Sequence, residues 1–154
     1  MKFTALKTRI TLPVLCIMLL LVACKVTLLS SYDETTDKVL SDMQQSTTAF
    51  FVKYETTPSA PELKYANQQP FYQQLMTSSR TLRIRNNAIE KNRPMIGMLD
   101  LLDDNIRLMD SLHRGKPNGM LASYDVQLLK SAFETQYTAM FKFIMALKSR
   151  AAVK

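Results

Sequence analysis

Cysteine occurs only at positions 16 and 24, histidine only at 113, glycine three times and tryptophan not at all. A zinc site needs several sulfur or nitrogen ligands, and one histidine without nearby cysteines does not supply them. No redox cysteine pair, haem-attachment pattern or glycine-rich cofactor loop is present. Gly97, Gly115 and Gly119 are too few for a loop-rich or sandwich fold. The stretch Gly115-Lys116-Pro117-Asn118-Gly119 lacks phosphate-loop spacing and reads as a turn between helices. Internal repeats and low-complexity segments are also missing. The uncharged, largely apolar run Ile10 to Cys24 has 15 residues. As a helix it spans roughly 22 Å, whereas a bilayer core is about 30 Å thick. Pro13 inside it further disfavours a permanent span.

The N-terminus carries a pattern of its own. Lys2, Lys7 and Arg9 precede the apolar run Ile10 to Val22, and small residues follow. That is the three-part layout of a secretory signal. Leu21-Val22-Ala23-Cys24 resembles the lipobox of bacterial lipoproteins. The resemblance implies cleavage between Ala23 and Cys24, a diacylglyceryl group on the Cys24 thiol, and acylation of the freed amine. Two or more acyl chains hold a protein stably on a membrane, each buried CH₂ contributing about 0.8 kcal/mol. Lys25 stands where an aspartate often retains such proteins in the inner membrane. The implied location is therefore the outer membrane, facing the periplasm.

This reading divides the chain into a signal peptide (1–23), a lipidated cysteine with a tether (24–31) and a helical domain (32–154). Removal of the signal leaves 131 residues, enough for one domain with a sizeable core. Loss of Lys2, Lys7 and Arg9 lowers the formal net charge from +7 to +4. So modest a surplus is a weak argument for an anionic partner, and nucleic acid is the least expected one in this compartment. Cys16 leaves with the signal and Cys24 is blocked by lipid. The mature chain then has no disulfide, and no cofactor beyond the covalent lipid is expected.

Ten methionines and few β-branched runs favour helices. A first helix is predicted from near Ser31 or Asp33 to about Thr56, because Thr36, Leu40, Met43, Thr47, Phe50 and Tyr54 recur at steps of three and four. Val39 and Phe51 widen that stripe. Asp33, Glu34 and Asp37 favour its positive end, and the Pro58–Pro61 segment breaks it. Pro70 is expected to interrupt any helix starting near Pro61. A second helix then runs from Phe71 to near Asn92, with Tyr72, Leu75, Ser79, Leu82, Asn86 and Ile89 on its stripe. The third runs from about Pro94 to His113 on Met95, Leu99, Leu102, Ile106, Met109 and Leu112, and Gly115 is expected at its C′ position. The fourth starts between Asn118 and Ser123 and reaches about Arg150. Leu121, Leu128, Leu129, Ala132, Phe133, Met140, Phe143, Ile144 and Leu147 mark its buried side. Four amphipathic helices with short breaks predict an all-α, antiparallel, up-down-up-down four-helix bundle. The fourth, about 30 residues or roughly 45 Å, is expected to outreach its neighbours.

Few residues offer chemistry. Asp100, Asp103, Asp104 and Asp110 are the densest acids, but calcium needs six to eight oxygens and usually a turning loop. They read instead as a charged face, with Asp103–Arg107 and Asp110–Arg114 as i,i+4 pairs. Arg80, Arg83 and Arg85 either answer those acids across the second and third helices or bind an anion. Antiparallel packing around residue 93 sets Arg83 level with Asp103. His113, close to a helix C-terminus where its charged form is favoured, is expected to cap or lie exposed. Phe51, Tyr54, Tyr65 and Tyr72 mark a candidate partner-binding patch at the first interhelical connection, or else cover the bundle end. No metal site and no catalytic constellation is expected.

Ser31-Tyr32-Asp33-Glu34-Thr35-Thr36-Asp37 after Cys24 resembles the mature start of a group of small proteobacterial lipoproteins. That resemblance implies compartment and helical fold without a mechanism. The functional expectation is a non-enzymatic interaction or structural module with an envelope protein as partner. The alternative is a periplasmic binder or sensor of a small apolar or lipidic ligand within the bundle. Cys24→Ser is predicted to abolish labelling by a radioactive fatty acid and to release or misprocess the protein. Unchanged labelling and membrane association would contradict the lipoprotein reading.

Overall fold

Four helices follow one another in the computed structural model, which describes residues 29–153. They are α1 (Glu34–Thr56), α2 (Tyr65–Asn87), α3 (Arg93–Arg114) and α4 (Ser123–Ala152), with a 3₁₀ turn, Pro61–Leu63, before α2. Ala23, Cys24 and the expected cleavage site lie outside the described residues. Each helix packs on two neighbours: α1 on α2 and α4, and α3 on α2 and α4. The order is antiparallel throughout. Lys130 near the start of α4 pairs with Glu55 at the end of α1, while Lys148 near the end of α4 reaches Asp37 at the start of α1. The all-α up-down-up-down bundle is the architecture. No described helix is long and apolar enough to cross a membrane.

The apolar stripes close the core. Leu40, Leu75, Leu82, Met95, Leu99, Leu102, Ile106, Met109, Leu129, Phe133 and Met140 lose essentially all contact with solvent. Burying one such side chain contributes about 1.5–3 kcal/mol, and this term carries the fold in the absence of a covalent staple among the described residues. Asp33 caps α1, its carboxylate accepting the Thr36 N–H at 3.0 Å. At α4 the reciprocal bond forms: Asp125 in the first turn accepts the N–H of Ala122, the residue before the helix.

Three expectations change. Pro70 does not interrupt α2, which runs unbroken from Tyr65. Proline this close to a helix start forfeits a single backbone bond, to the Ala66 carbonyl. The side-chain amides of Asn67 and Gln68 reach back to the carbonyls of Pro61 and Glu62 and tie the helix to the 3₁₀ turn. Leu128 is half exposed, since it sits beside the buried arc formed by Val126, Leu129, Phe133, Tyr137 and Met140. Gly115 has ordinary right-handed backbone; the left-handed glycine is Gly119, at φ 68°.

Polar residues fix how the stripes meet. At the end where the chain enters, Ser30 Oγ donates to Asn92 Oδ1, Asn92 Nδ2 donates to Asn86 Oδ1, and Asn86 Nδ2 donates to Thr36 Oγ1. Thr36 Oγ1 donates in turn to Asp33, which Arg85 grips with two nitrogens. This relay buries Ser30, so the folded body begins before the expected boundary at residue 32. Every fully buried side-chain nitrogen or oxygen among the described residues has a partner, as a native-like interior requires.

Arg83 lies between Asp100 and Asp103, bonded to both. Asp103 also accepts from Ser79, and so turns away from Arg107, its expected partner on the same helix. Asp110–Arg114 forms as expected. The Arg83 guanidinium is held above its usual pKa first by its bond to Asp103 and then by Asp100. A double-mutant cycle of Arg83→Ala and Asp103→Ala is predicted to give a coupling of about 1 kcal/mol in urea unfolding, as part-buried charged hydrogen bonds do. Additive single effects would contradict the pairing.

Candidate functional site

His113 ends α3 facing inward, because it continues the Leu99–Leu102–Ile106–Met109 stripe. It has no solvent exposure. Tyr54 from α1, Tyr72 from α2 and the α3–α4 connection close around it. The carbonyl of Gly119 lies 2.9 Å from Nε2, and the Tyr72 hydroxyl 2.8 Å from Nδ1. A carbonyl only accepts, so Nε2 carries the proton and Nδ1 accepts from Tyr72. The Tyr54 hydroxyl lies 3.1 Å from Nε2, donates to the Leu63 carbonyl, and accepts the Leu121 N–H. Gly119 presents its carbonyl through a left-handed backbone, and that oxygen also accepts the Tyr65 N–H at 2.7 Å.

The expectation of an exposed or capping, charged histidine is thus overturned. Burial pushes the His113 imidazole below its ordinary pKa, against the opposing pull of the Gly119 and Leu63 carbonyls and of Asp110. Burial also pushes the Tyr54 and Tyr72 phenols upward. The cage is made of neutral groups, and its role is to hold both connections onto the far end of the bundle.

The structure brings Tyr54, Tyr65 and Tyr72 together around this imidazole, with Tyr65 half-buried over Asp110 and Arg114. Phe51 points elsewhere, against Phe133 on α4. The four therefore do not form an exposed patch: Phe51, Tyr54 and Tyr72 are buried. The polar demands of the phenols draw Tyr54 and Tyr72 inward with Tyr65 beside them, so the three tyrosines cover the bundle end, while Phe51 packs in the core.

A recess open to solvent runs between α1 and α4 and has a volume of about 420 Å³. Phe51, Phe133, Tyr137 and Phe141 give it an aromatic floor, while Gln44, Thr48, Lys130, Glu134 and Thr138 line its rim. Small threonines at 47, 48 and 138 leave the space. Thr47 and Tyr137 bond through their hydroxyls at 3.1 Å, and burial pushes the Tyr137 phenol up to about 12. Lys130 is tied to Glu55 at 2.6 Å. Sequence reasoning missed this recess, although Thr47 among the apolar residues of the α1 stripe was its visible sign. The arrangement suits recognition of an apolar or aromatic group with polar edges.

Among the described residues, no group of three or more histidine, cysteine, aspartate or glutamate side chains is placed to hold a metal ion. No family model matches the chain, and comparison with curated proteins and with solved structures finds no match.

The cage makes stability depend on pH. The folded imidazole binds its proton more weakly than the unfolded one, whose pKa is near 6.5. The unfolded state therefore takes up more protons as pH falls through 6.5, and stability falls with it. The urea midpoint is predicted to drop between about pH 6.5 and 5, above the range where Asp33 and Asp125 begin to protonate. His113→Gln is predicted to lower stability by about 2–3 kcal/mol at pH 7.5 and to flatten that slope. An unchanged slope in the variant would contradict the neutral cage.

Proposed function

We propose that this chain is a lipid-anchored, non-enzymatic interaction module of the cell envelope, held through Cys24 at the outer membrane and facing the periplasm. The observation that carries the proposal is the lipobox-like Leu21-Val22-Ala23-Cys24 after a short, positively flanked apolar segment. Supporting it, no described helix is long and apolar enough to cross a membrane, and every fully buried side-chain nitrogen or oxygen among the described residues has a hydrogen-bond partner. The surface available to an envelope protein is the α1–α4 recess, with the exposed Leu101 and Leu108 of α3 and Leu128 of α4 as further apolar contacts. Large apolar side chains held on a rigid surface are the usual anchors of partner binding.

A second reading, favoured by the recess itself, is binding of a small apolar or lipidic ligand. Its volume falls within the range of about 300–1,000 Å³ common to small-molecule sites. In this reading the ligand lies between two helices at the side of the bundle, and not at its centre, which Leu40, Leu99, Leu102 and Met140 fill.

A photo-crosslinking residue at Thr48 or Thr138, activated in intact cells, distinguishes the two. The interaction module predicts one dominant protein adduct, lost when Phe141→Arg blocks the recess. A co-purifying lipid or small molecule with no protein adduct would overturn that order in favour of the second reading.

A further inference from the structure

We infer that the α1–α4 recess takes a small organic cation, a protonated amine carried on an aromatic body. The inference rests on the small-ligand reading of the recess and adds the chemistry of the head group. The space sets the body. A cavity of about 150 Å³ receives one benzene ring, so the 420 Å³ of this open recess has room for two fused rings. The floor suits them. Phe51 and Phe133 meet at 5.9 Å and Phe133 and Tyr137 at 6.0 Å, with Phe141 continuing the row along α4. Aromatic rings pack on one another in tilted or offset pairs. Their faces also attract a cation within about 6 Å of the ring centre.

Charge at the rim selects the sign of the head group. Lys130 and Glu134 are the charged residues of the lining. Lys130 is already tied to Glu55 at 2.6 Å. Its ammonium is held above its usual pKa first by that bond, against desolvation, and Glu134 adds its field. Glu134 is exposed and makes no ion pair or hydrogen bond among the described residues. An incoming carboxylate or phosphate meets one cation that already serves two acids. An incoming ammonium meets a carboxylate with open lone pairs. Beyond the lining on α1, Asp42 is closed on Lys38 and Lys53 on Glu62. Lys142, the next cation on α4, is exposed and outside the lining. It stands eight residues from Glu134, about 12 Å along the helix, where salt largely screens exposed charges.

Hydrogen bonding points to the same sign. Thr47 donates to the Met43 carbonyl at 2.8 Å, so the phenol's own proton makes the bond between Tyr137 and Thr47. The Tyr137 oxygen is left as an acceptor. Gln44 donates to Thr48 at 2.9 Å, and its amide oxygen makes no bond among the described residues. The Thr48 and Thr138 hydroxyls can serve either way. Glu134, Tyr137 and Gln44 thus offer acceptors, and an ammonium is a donor only. Seven residues of α4 separate Glu134 from Phe141, about 10 Å. That is roughly the length of two fused rings bearing a short amine chain.

The test uses the full-length chain purified in detergent, with threonine methyl NMR reporting on Thr47, Thr48 and Thr138. Three probes share one ring system and differ in the head group: naphthylethylamine, naphthylethanol and naphthylacetate. Phe141→Arg, which fills the recess, sets the blank for uptake by the detergent. The amine is expected to bind about tenfold more tightly than the alcohol, with the acid weakest. Glu134→Gln is expected to cut that preference to about twofold and to leave the alcohol unchanged. Equal binding of amine and alcohol, tightest binding of the acid, or a preference unaltered by Glu134→Gln overturns the cation assignment and leaves the small-ligand reading standing. If no probe moves the recess methyls beyond the Phe141→Arg blank, the small-ligand reading and this inference fall together.

Discussion

A neutral imidazole with no contact with solvent ties the far end of this bundle together. His113 donates to the Gly119 carbonyl and accepts from Tyr72, while Tyr54 links the same ring to Leu63 and Leu121. One side chain thus connects three helices, the 3₁₀ turn and the α3–α4 connection. Removing any member leaves a buried polar group without its partner, and that penalty exceeds the net worth of the bond itself. An apolar core alone accepts several rotations of its helices. A fully satisfied polar cluster accepts far fewer, and its fixed geometry selects one packing. The Ser30–Asn92–Asn86–Thr36 relay does the same at the opposite end.

Between these two polar layers the helices are joined by apolar stripes and by cross-helix ion pairs. The relation between Arg83 and Asp103 was legible from sequence because antiparallel helices with a short turn bring fixed sums of residue numbers level. The stripes of α1 and α3 were equally legible, since their members recur at steps of three and four throughout. α2 was harder. Its stripe contains Ser79 and Asn86, and the bonds that justify them lie on other helices, to Asp103 and Thr36. Pro70 misled because a proline past the first turn ordinarily ends or kinks a helix, whereas here the Asn67 and Gln68 amides tie the turn before it to the 3₁₀ segment.

His113 shows a different limit. A histidine near a helix C-terminus ordinarily gains from its charge. Here desolvation outweighs that gain, and desolvation depends on what α1, α2 and the α3–α4 connection place around it. The recess between α1 and α4 was hidden for a similar reason. Thr47 and Tyr137 stand ninety positions apart, and a gap between helices is a property of two facing surfaces, not of either stripe. The proposed anchor signal is the reverse case, because a lipobox is a local, linear pattern of neighbouring residues. Anchor and body therefore inform different parts of the functional reading: one concerns where the bundle sits, the other which surfaces it offers.

The packing of the far end depends on the state of one ring. The most direct measurement is the pH titration of the His113 imidazole by nitrogen and carbon NMR in the folded protein, as the chain holds no other histidine. The account predicts a neutral ring protonated at Nε2 that holds its chemical shifts as pH is lowered from 7.5 past 6.5. A ring that titrates near 6.5 while the bundle stays folded, or one protonated at Nδ1, would contradict it.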